Sequence, residues 1–161
     1  MISKLMEMEK LAAHTAELRA AGKKVVFTNG CFDLLHVGHV RYLRAARELG
    51  DVLAVGINGD DSVRELKGPN RPLNNERDRA ELVAALECVD LVTIFPEARA
   101  TRLLEMVRPA IYAKGGDYTP ATLNAEERAV LEKIGTDIRI IPFEAGYSTS
   151  LMLEKLACDS K

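Results

Sequence analysis

The distribution of apolar residues along the chain predicts alternating strands and helices. Five short runs rich in Val and Ile suit strands that are buried on both faces: residues 24–29, 52–58, 91–95, 110–114 and 138–142. The stretches between them have helical spacing, as at Val40, Leu43 and Ala46. Because strands and helices alternate, we predict a single three-layer α/β domain with a parallel sheet of about five strands.

A leading helix is predicted ahead of the first strand, over residues 1–21. Leu5, Met8, Leu11 and Leu18 would lie near one face of it. This apolar face would cover either the sheet or a partner subunit. The main domain would then occupy residues 22–161.

Two later helices carry start signals. Asn124 has Glu127 three residues further on, a spacing typical of a capping box, in which each side chain accepts a bond from the other residue's backbone. Ser148 should open the last helix as its N-cap.

The loops that follow the strands hold most of the unusual residues: "NGCFDLLHVGH", "NGDDSVRELKGPNRP", "KGGDY" and "FEAGYSTS". Parallel α/β sheets bind ligands outside the carboxyl ends of their strands, where the strand order reverses. We therefore expect one ligand site at this edge.

The loop after the first strand has the features of a phosphate site. Asn29 and Gly30 allow a tight turn, and the next helix should begin near Val37. The free N–H groups at a helix N-terminus carry about half a positive charge and attract phosphate.

Two of the three histidines flank that helix start. His36 and His39 can point their rings at one anion, and Gly38 leaves room for the anion to approach the backbone. This suits phosphoryl or nucleotidyl transfer, where catalysis is mainly positioning and charge neutralisation. Two alternatives stay open: the histidines could cap or pack, or they could bind a metal together with Asp33. His14 is expected at the surface and adds no ligand.

Basic residues follow the second strand. Lys67 and Arg71 are placed in a loop over the sheet edge, from which they could reach phosphate oxygens. Arg79 lies on the next helix, where the sequence favours a solvent-facing pair with Asp78 or Glu76.

Two further loops are candidate ligand contacts. Lys114, Gly115, Gly116 and Asp117 follow the fourth strand, where the glycines could form a simple turn or let the backbone press against a base or sugar. Three consecutive hydroxyls open the last helix, at residues 148–150, and could form a second phosphate cradle.

Composition narrows the protein class. The chain has 161 residues, 47% hydrophobic and 29% charged, with a net charge of -2, which argues against a general nucleic-acid binder. The apolar runs are far shorter than the roughly 20 residues of a membrane span, and no secretion signal is visible. Cys31, Cys88 and Cys158 are odd in number and lack CxxC spacing, which indicates a reducing cytoplasm.

The motif "FDLLHVGH" resembles the HxGH signature of a nucleotidyltransferase superfamily with a Rossmann-like fold. The wider set "FTNGCFDLLHVGHVRYL", "SVRELKGPNRP", "AALECVDLVTIF", "KGGDY" and "GYSTS" is similar to its heptose 1-phosphate adenylyltransferases. The resemblance implies transfer of AMP from ATP to a heptose 1-phosphate, giving ADP-heptose and pyrophosphate for lipopolysaccharide synthesis. It also implies Mg²⁺ bound with ATP, a homodimer, a cytoplasmic location, and no nucleic-acid or membrane partner. In many relatives the domain follows a sugar kinase, so this chain would be the stand-alone form.

The resemblance also implies residue roles. The catalytic residues would be His36, His39 and Lys67. The nucleotide would contact Asn29, Gly30, Cys31, Phe32, Gly38, Phe143, Gly146, Tyr147, Ser148, Thr149 and Ser150. The acceptor would contact Asp33, Arg71, Arg79, Lys114, Gly115, Gly116 and Asp117, and no protein side chain is expected to bind a metal. One departure is Leu151, because relatives often carry a basic residue there.

Other functions stay open at this point. The same reaction type could use CTP and glycerol 3-phosphate, or transfer AMP to a flavin. A nucleotide sensor without turnover would not need His36, His39 and Lys67, and a metal hydrolase would be built on Asp33, His36 and His39.

Overall fold

Five parallel strands form one sheet in the structure, a computed structural model that describes residues 3–116, 119 and 121–160. The strands are β1 (Val25–Gly30), β2 (Val52–Asn58), β3 (Leu91–Phe95), β4 (Ile111–Gly115) and β5 (Asp137–Ile141). Their order is β3-β2-β1-β4-β5, so the strand order reverses between β1 and β4. The predicted parallel sheet is confirmed, and each strand lies within one residue of its predicted position.

Seven helices lie in the described part of the chain and cover both faces of the sheet. They are α1 (Met8–Ala20), α2 (Val37–Arg47), α3 (Asp60–Lys67), α4 (Glu76–Ala84), α5 (Thr101–Val107), α6 (Ala125–Ile134) and α7 (Thr149–Asp159). One buried cluster packs α1, α5 and α6 against the sheet, and a second packs α2 and α4 against the other face. The predicted three-layer α/β architecture is confirmed.

The leading segment packs on the sheet. Its helix begins at Met8, and Leu5 lies before it in a β-bridge with Val92, so the prediction that Leu5 shares the helix face is wrong. Val92 N donates to Lys4 O at 2.8 Å, so this edge of the sheet accepts one more extended segment. Met8 and Leu11 are buried, which places the apolar face of α1 in the core of the domain.

The two predicted helix caps are present, with one difference. Ser148 Oγ accepts from Leu151 N at 3.0 Å, and Asn124 Oδ1 accepts from the first-turn N–H groups of α6. Glu127 does not complete a capping box, because its Oε1 accepts instead from Ala100 N at 3.4 Å. The side chain is 5% exposed and faces the segment between β3 and α5, a tertiary contact that sequence spacing does not reveal.

No helix in residues 3–116, 119 and 121–160 is long and apolar enough to cross a membrane.

Candidate active site

A cleft of about 1070 Å³ opens at the carboxyl edge of the sheet, over the point between β1 and β4 where the strand order reverses. Most of the predicted site residues line it: Asn29, Gly30, Cys31, Phe32, Asp33, His36, Gly38, His39, Lys67, Arg71, Lys114, Gly115, Phe143, Tyr147, Ser148, Thr149 and Ser150. Gly116, Gly146 and Arg79 do not line it, and Asp117 lies outside the described residues.

His36 and His39 lie at the start of α2, on the wall of the cleft. His36 is the N-cap of the helix, and the two imidazole rings stack with centroids 3.9 Å apart. His36 N donates to Nδ1 of His39 at 3.3 Å, and the ring of Phe32 lies 5.4 Å from that of His39. Since Nδ1 of His39 accepts a bond, the proton of the neutral ring is on Nε2, which leaves that atom as the donor.

Both histidines are held in the neutral form. Burial lowers the pKa of His39 to about 4, with a further contribution from the charge of His36. Burial also lowers the pKa of His36 below its ordinary value. The Nδ1 atom of His36 is buried and has no hydrogen-bond partner in the described part of the protein.

Two helix N-termini meet at this site. The backbone N–H groups of Val37 and Gly38, in the first turn of α2, have no partner among the described residues. The same holds for the N–H groups of Thr149 and Ser150 in the first turn of α7. Thr149 Oγ1 donates to Leu34 O at 3.2 Å, which fixes the second helix start beside the first. Four free amides and two helix dipoles therefore point toward one anion-binding region.

The hydroxyl cradle proposed for residues 148–150 stays a prediction. Ser148 caps α7 and Thr149 Oγ1 donates to Leu34 O, so among these three hydroxyls only that of Ser150 has no partner among the described residues. The free groups at this helix start are backbone amides, which donate without any help from the side chains.

The glycines of the site lie close to protein side chains. A Cβ on Gly38 would lie 2.8 Å from Nδ1 of His36 and 3.0 Å from Cβ of Tyr147, so the space there holds side chains. A Cβ on Gly116 would lie 2.2 Å from the Phe143 ring, and one on Gly115 would lie 2.8 Å from it. Phe143 therefore fills the space where side chains at residues 115 and 116 would lie, and contact of this backbone with a ligand stays a prediction.

Gly30 and Phe32 shape the turn after β1. Phe32 has a φ of 48°, in the left-handed region that residues other than glycine rarely adopt. This conformation turns its ring toward Gly30, where a Cβ would lie 3.0 Å from it. The strained residue thus places its ring under His39 and supports the histidine wall.

Lys67 and Arg71 form the basic side of the cleft. Lys67 is exposed and is the last residue of α3, so its predicted loop position is wrong. It makes no ion pair or hydrogen bond to other described residues, which leaves its ammonium group available to a phosphate. Arg71 donates from Nε to Asp33 Oδ2 at 2.7 Å, which fixes its guanidinium, and its terminal nitrogens have no hydrogen bond to any described residue.

Asp33 is a structural anchor of this loop. Its carboxylate is 3% exposed and accepts from Leu73 N at 2.9 Å and Asn74 N at 3.0 Å, in addition to Arg71. Burial raises the pKa of the Asp33 carboxyl, but the bonds from Asn74, Leu73 and Arg71 outweigh burial and hold it below its ordinary value. With both oxygens engaged, Asp33 is not available to an acceptor or a metal. Among the described residues no group of three or more His, Cys, Asp or Glu side chains could hold a metal ion, so the metal-hydrolase alternative lacks its ligand set.

Arg79 also differs from its prediction. Its side chain is fully buried and donates to Cys31 O at 2.6 Å, to Asn74 O at 2.9 Å and to Asp60 Oδ1 at 2.8 Å. It neither faces solvent nor reaches the cleft. It ties the loop after β1 to the loop before α4, and so positions residues that do line the cleft.

The sequence analysis missed several cleft residues. Arg41 pairs with Glu144 and lies over the ring of Tyr147, 5.4 Å from its centroid, so α2 holds the loop that precedes α7. Asn58 and Glu127 are buried polar residues that line the opposite side of the cleft. Asn58 ends β2, a position that could have been identified; Glu127 required the tertiary structure.

Comparison with known proteins agrees with this geometry. Residues 27–155 match the family model described as Cytidylyltransferase-like. This chain belongs to the cytidylyltransferase-like family. The matched region contains both helix starts, the histidine pair and Lys67.

Family members with similar sequences carry the name Bifunctional protein HldE. The one from Geotalea uraniireducens is 48% identical over 98% of this chain, and the one from Trichlorobacter lovleyi is 49% identical over 96%. The chain spans only 32% and 31% of the length of these two relatives, about a third.

Solved structures show the same fold. A lipopolysaccharide core biosynthesis protein from Thermoplasma volcanium is 29% identical, with a TM-score of 0.64, and the match covers 76% of this chain and 98% of that one. A pantoate-beta-alanine ligase from Francisella tularensis has a TM-score of 0.60 at 15% identity, over 92% of this chain and 69% of that one. The second likeness supports the Rossmann-like fold alone.

Proposed function

We propose that this chain transfers AMP from ATP to a heptose 1-phosphate, giving ADP-heptose and pyrophosphate. The observation that carries the proposal is the neutral pair His36 and His39 beside two free helix N-termini. Membership of the cytidylyltransferase-like family supports nucleotidyl transfer as the reaction. The resemblance of the five motifs to heptose 1-phosphate adenylyltransferases supports the substrates, as does a solved relative named for lipopolysaccharide core biosynthesis.

The reaction is a direct in-line displacement. An oxygen of the acceptor phosphate attacks the α-phosphorus of ATP, and the bond from that phosphorus to the β-phosphate bridging oxygen breaks as pyrophosphate leaves. Negative charge on the transferring and leaving phosphates meets Nε2–H of His39, the free amides of α2 and α7, Lys67 and Arg71. These donors are fixed before reaction, so they stabilise charge without reorganising. No covalent intermediate on the protein is needed.

The divalent cation belongs with the nucleotide in this proposal. The basic side chains Lys67 and Arg71 face the cleft, and the nearby carboxylate of Asp33 is fully bonded. Mg²⁺ would therefore enter as part of the ATP substrate, where it would neutralise phosphate charge.

The homodimer and the cytoplasmic location stay predictions. The leading helix, suggested as an interface, buries Met8 and Leu11 against the sheet of its own chain. A dimer would use other surfaces. Light scattering on the purified protein measures its mass in solution.

Pyrophosphate release from ATP and heptose 1-phosphate tests the proposal. The wild-type protein should release pyrophosphate only when both substrates are present. His39→Ala should lower kcat by about 100-fold, the loss typical of removing one preorganised donor, while the KM for ATP changes far less. Unchanged kcat in this variant would remove the histidine from the reaction.

A further inference from the structure

A polar group on the far side of the cleft has no role in the reaction described above. Asn58 lies at the end of β2 and is 2% exposed, and Glu127 lies in the first turn of α6 and is 5% exposed. Both line the cleft. They lie on the side of the sheet that α5 and α6 cover, whereas the histidines lie on the side that α2 covers.

The two side chains hold the same short segment. Asn58 Nδ2 donates to the carbonyls of Glu97 and Ala98 at 3.3 and 3.4 Å, and Glu127 Oε1 accepts from Ala100 N at 3.4 Å. Residues 97–100 join β3 to α5, so Asn58 and Glu127 lie close together across this segment.

Both residues keep acceptor atoms that no described residue uses. The amide nitrogen of Asn58 donates to protein atoms, whereas its Oδ1 has no hydrogen bond from the described residues. Oε2 of Glu127 likewise has no described partner. Because both residues line the cleft, these two oxygens can accept hydrogen bonds from a ligand.

A donor stands at the rim of the same region. Arg99 is exposed, lines the cleft and has no hydrogen bond or ion pair with any described residue. Two acceptors and one guanidinium match a group that both donates and accepts hydrogen bonds. Vicinal hydroxyls have this property, whereas a phosphate offers acceptors alone.

We infer that Asn58, Glu127 and Arg99 form the subsite for the hydroxyls of the acceptor sugar that lie furthest from its phosphate. This rests on the proposed transfer reaction, which places the acceptor phosphate beside the α-phosphate of ATP. The far end of the sugar then extends across the sheet edge toward α6. Glu127 and Asn58 accept from its hydroxyls, and Arg99 donates to their oxygens. The subsite thereby distinguishes a heptose from shorter sugars, since a missing hydroxyl would leave its buried oxygens unpaired.

Substitutions that spare the fold test this subsite. Glu127→Gln keeps an Oε1 acceptor for Ala100 N and replaces the free oxygen with a donor, and Arg99→Ala changes an exposed side chain. Glu132→Gln, on the exposed side of α6, is the matched control. Steady-state KM values for ATP and for the acceptor are measured in each protein, together with the preference for D-glycero-D-manno-heptose 1-phosphate over mannose 1-phosphate, which lacks one hydroxymethylene group.

We expect Glu127→Gln to raise the acceptor KM about tenfold, as for loss of a charged hydrogen bond, and to abolish most of the preference for heptose. Arg99→Ala should act in the same direction, and the KM for ATP should stay within about twofold, because uniform loss of acceptor binding leaves the nucleotide site intact. An acceptor KM and a heptose preference that match those of Glu132→Gln in both variants would overturn the inference.

The measurements also distinguish failure of the proposed function from failure of the subsite. If the wild-type protein uses another nucleotide and acceptor, such as CTP and glycerol 3-phosphate, the same KM measurements are made with that pair. A selective rise in its acceptor KM still supports the subsite, and equal rises for nucleotide and acceptor contradict it.

Discussion

The backbone N–H of His36 donates to Nδ1 of His39 at 3.3 Å, which orients the second imidazole and places its proton on Nε2. With the pKa of His39 at about 4, this ring is a neutral donor at physiological pH. Catalysis therefore needs no imidazolium. We predict that kcat stays level from pH 6 to pH 8, as measured by pyrophosphate release. A kcat that falls tenfold per pH unit above 6.5 would show that a protonated histidine is required.

Replacing His39 by two different amides tests the assigned tautomer. The amide of Gln reaches the position of Nε2, whereas that of Asn reaches only the position of Nδ1. We predict that His39→Gln keeps at least about ten times more kcat than His39→Asn, within the roughly 100-fold range of one preorganised donor. Equal kcat values in the two variants would contradict a role for Nε2–H.

The depressed pKa of His39 also affects folding. Between pH 4 and pH 6.5 the unfolded chain binds more protons at this residue than the folded protein, so the free energy of unfolding rises with pH across that window. Above the ordinary histidine pKa the contribution is constant. Urea unfolding of wild-type protein and His39→Gln at pH 5 and pH 7 measures the effect, and the variant should show the smaller increase.

Removal of the Lys67 side chain should lower kcat without lowering the stability of the fold. Lys67 is exposed at the end of α3 and faces the cleft, and no described residue forms a hydrogen bond or ion pair with its ammonium group. We predict that Lys67→Ala lowers kcat by about 100-fold with an unchanged midpoint of urea unfolding. Arg64→Ala, one turn earlier on the same helix and outside the cleft lining, is the control. Near-normal turnover in Lys67→Ala would exclude the lysine from the site.

Arg79 should show the opposite behaviour. Its removal leaves Asp60 and the carbonyls of Cys31 and Asn74 without their donor, so Arg79→Ala should lose about 3–5 kcal/mol of unfolding free energy. Arg77→Ala, on the exposed side of α4, should lose less than about 0.5 kcal/mol. Urea unfolding compares the two, and similar small losses would mean that the buried guanidinium does not hold these loops.

The contact between Gly116 and Phe143 gives a second stability test. Gly116 and Gly22 both have positive φ, of 90° and 74°, but only Gly116 has a side chain pressed against it. Gly116→Ala should therefore destabilise the protein more than Gly22→Ala, by about 0.5–1.5 kcal/mol, because the exposed Phe143 ring must move off its rotamer. Adding Phe143→Ala should remove that excess, which a double-mutant cycle measures.

The sheet could be predicted from the sequence because each strand is a short apolar run that ends in a turn. The helix start at Val37 and the cap at Ser148 were also confirmed, since caps depend on residues that are neighbours in sequence. The errors concern contacts over long sequence separations. Arg79 donates to the carbonyl oxygen of Cys31, and Glu127 accepts from the backbone N–H of Ala100. Neither partner can be identified from local spacing in the sequence.

The glycine pair shows a second limit of sequence reasoning. A glycine indicates that something approaches the backbone closely, but not whether it is a ligand or the protein itself. At Gly115 and Gly116 it is Phe143, which lies 27 residues after Gly116. Roles assigned to side chains from a motif therefore need the structure to show which groups are already bonded.

Transfer of AMP from ATP to a heptose 1-phosphate is the reaction that we propose for this chain. The most direct test is one reaction that contains equal ATP and CTP together with D-glycero-β-D-manno-heptose 1-phosphate and glycerol 3-phosphate, with products identified by mass spectrometry. ADP-heptose should be the main product, with pyrophosphate in equal amount, and both should be absent with the His36→Ala, His39→Ala double variant. CDP-glycerol as the main product would contradict the account.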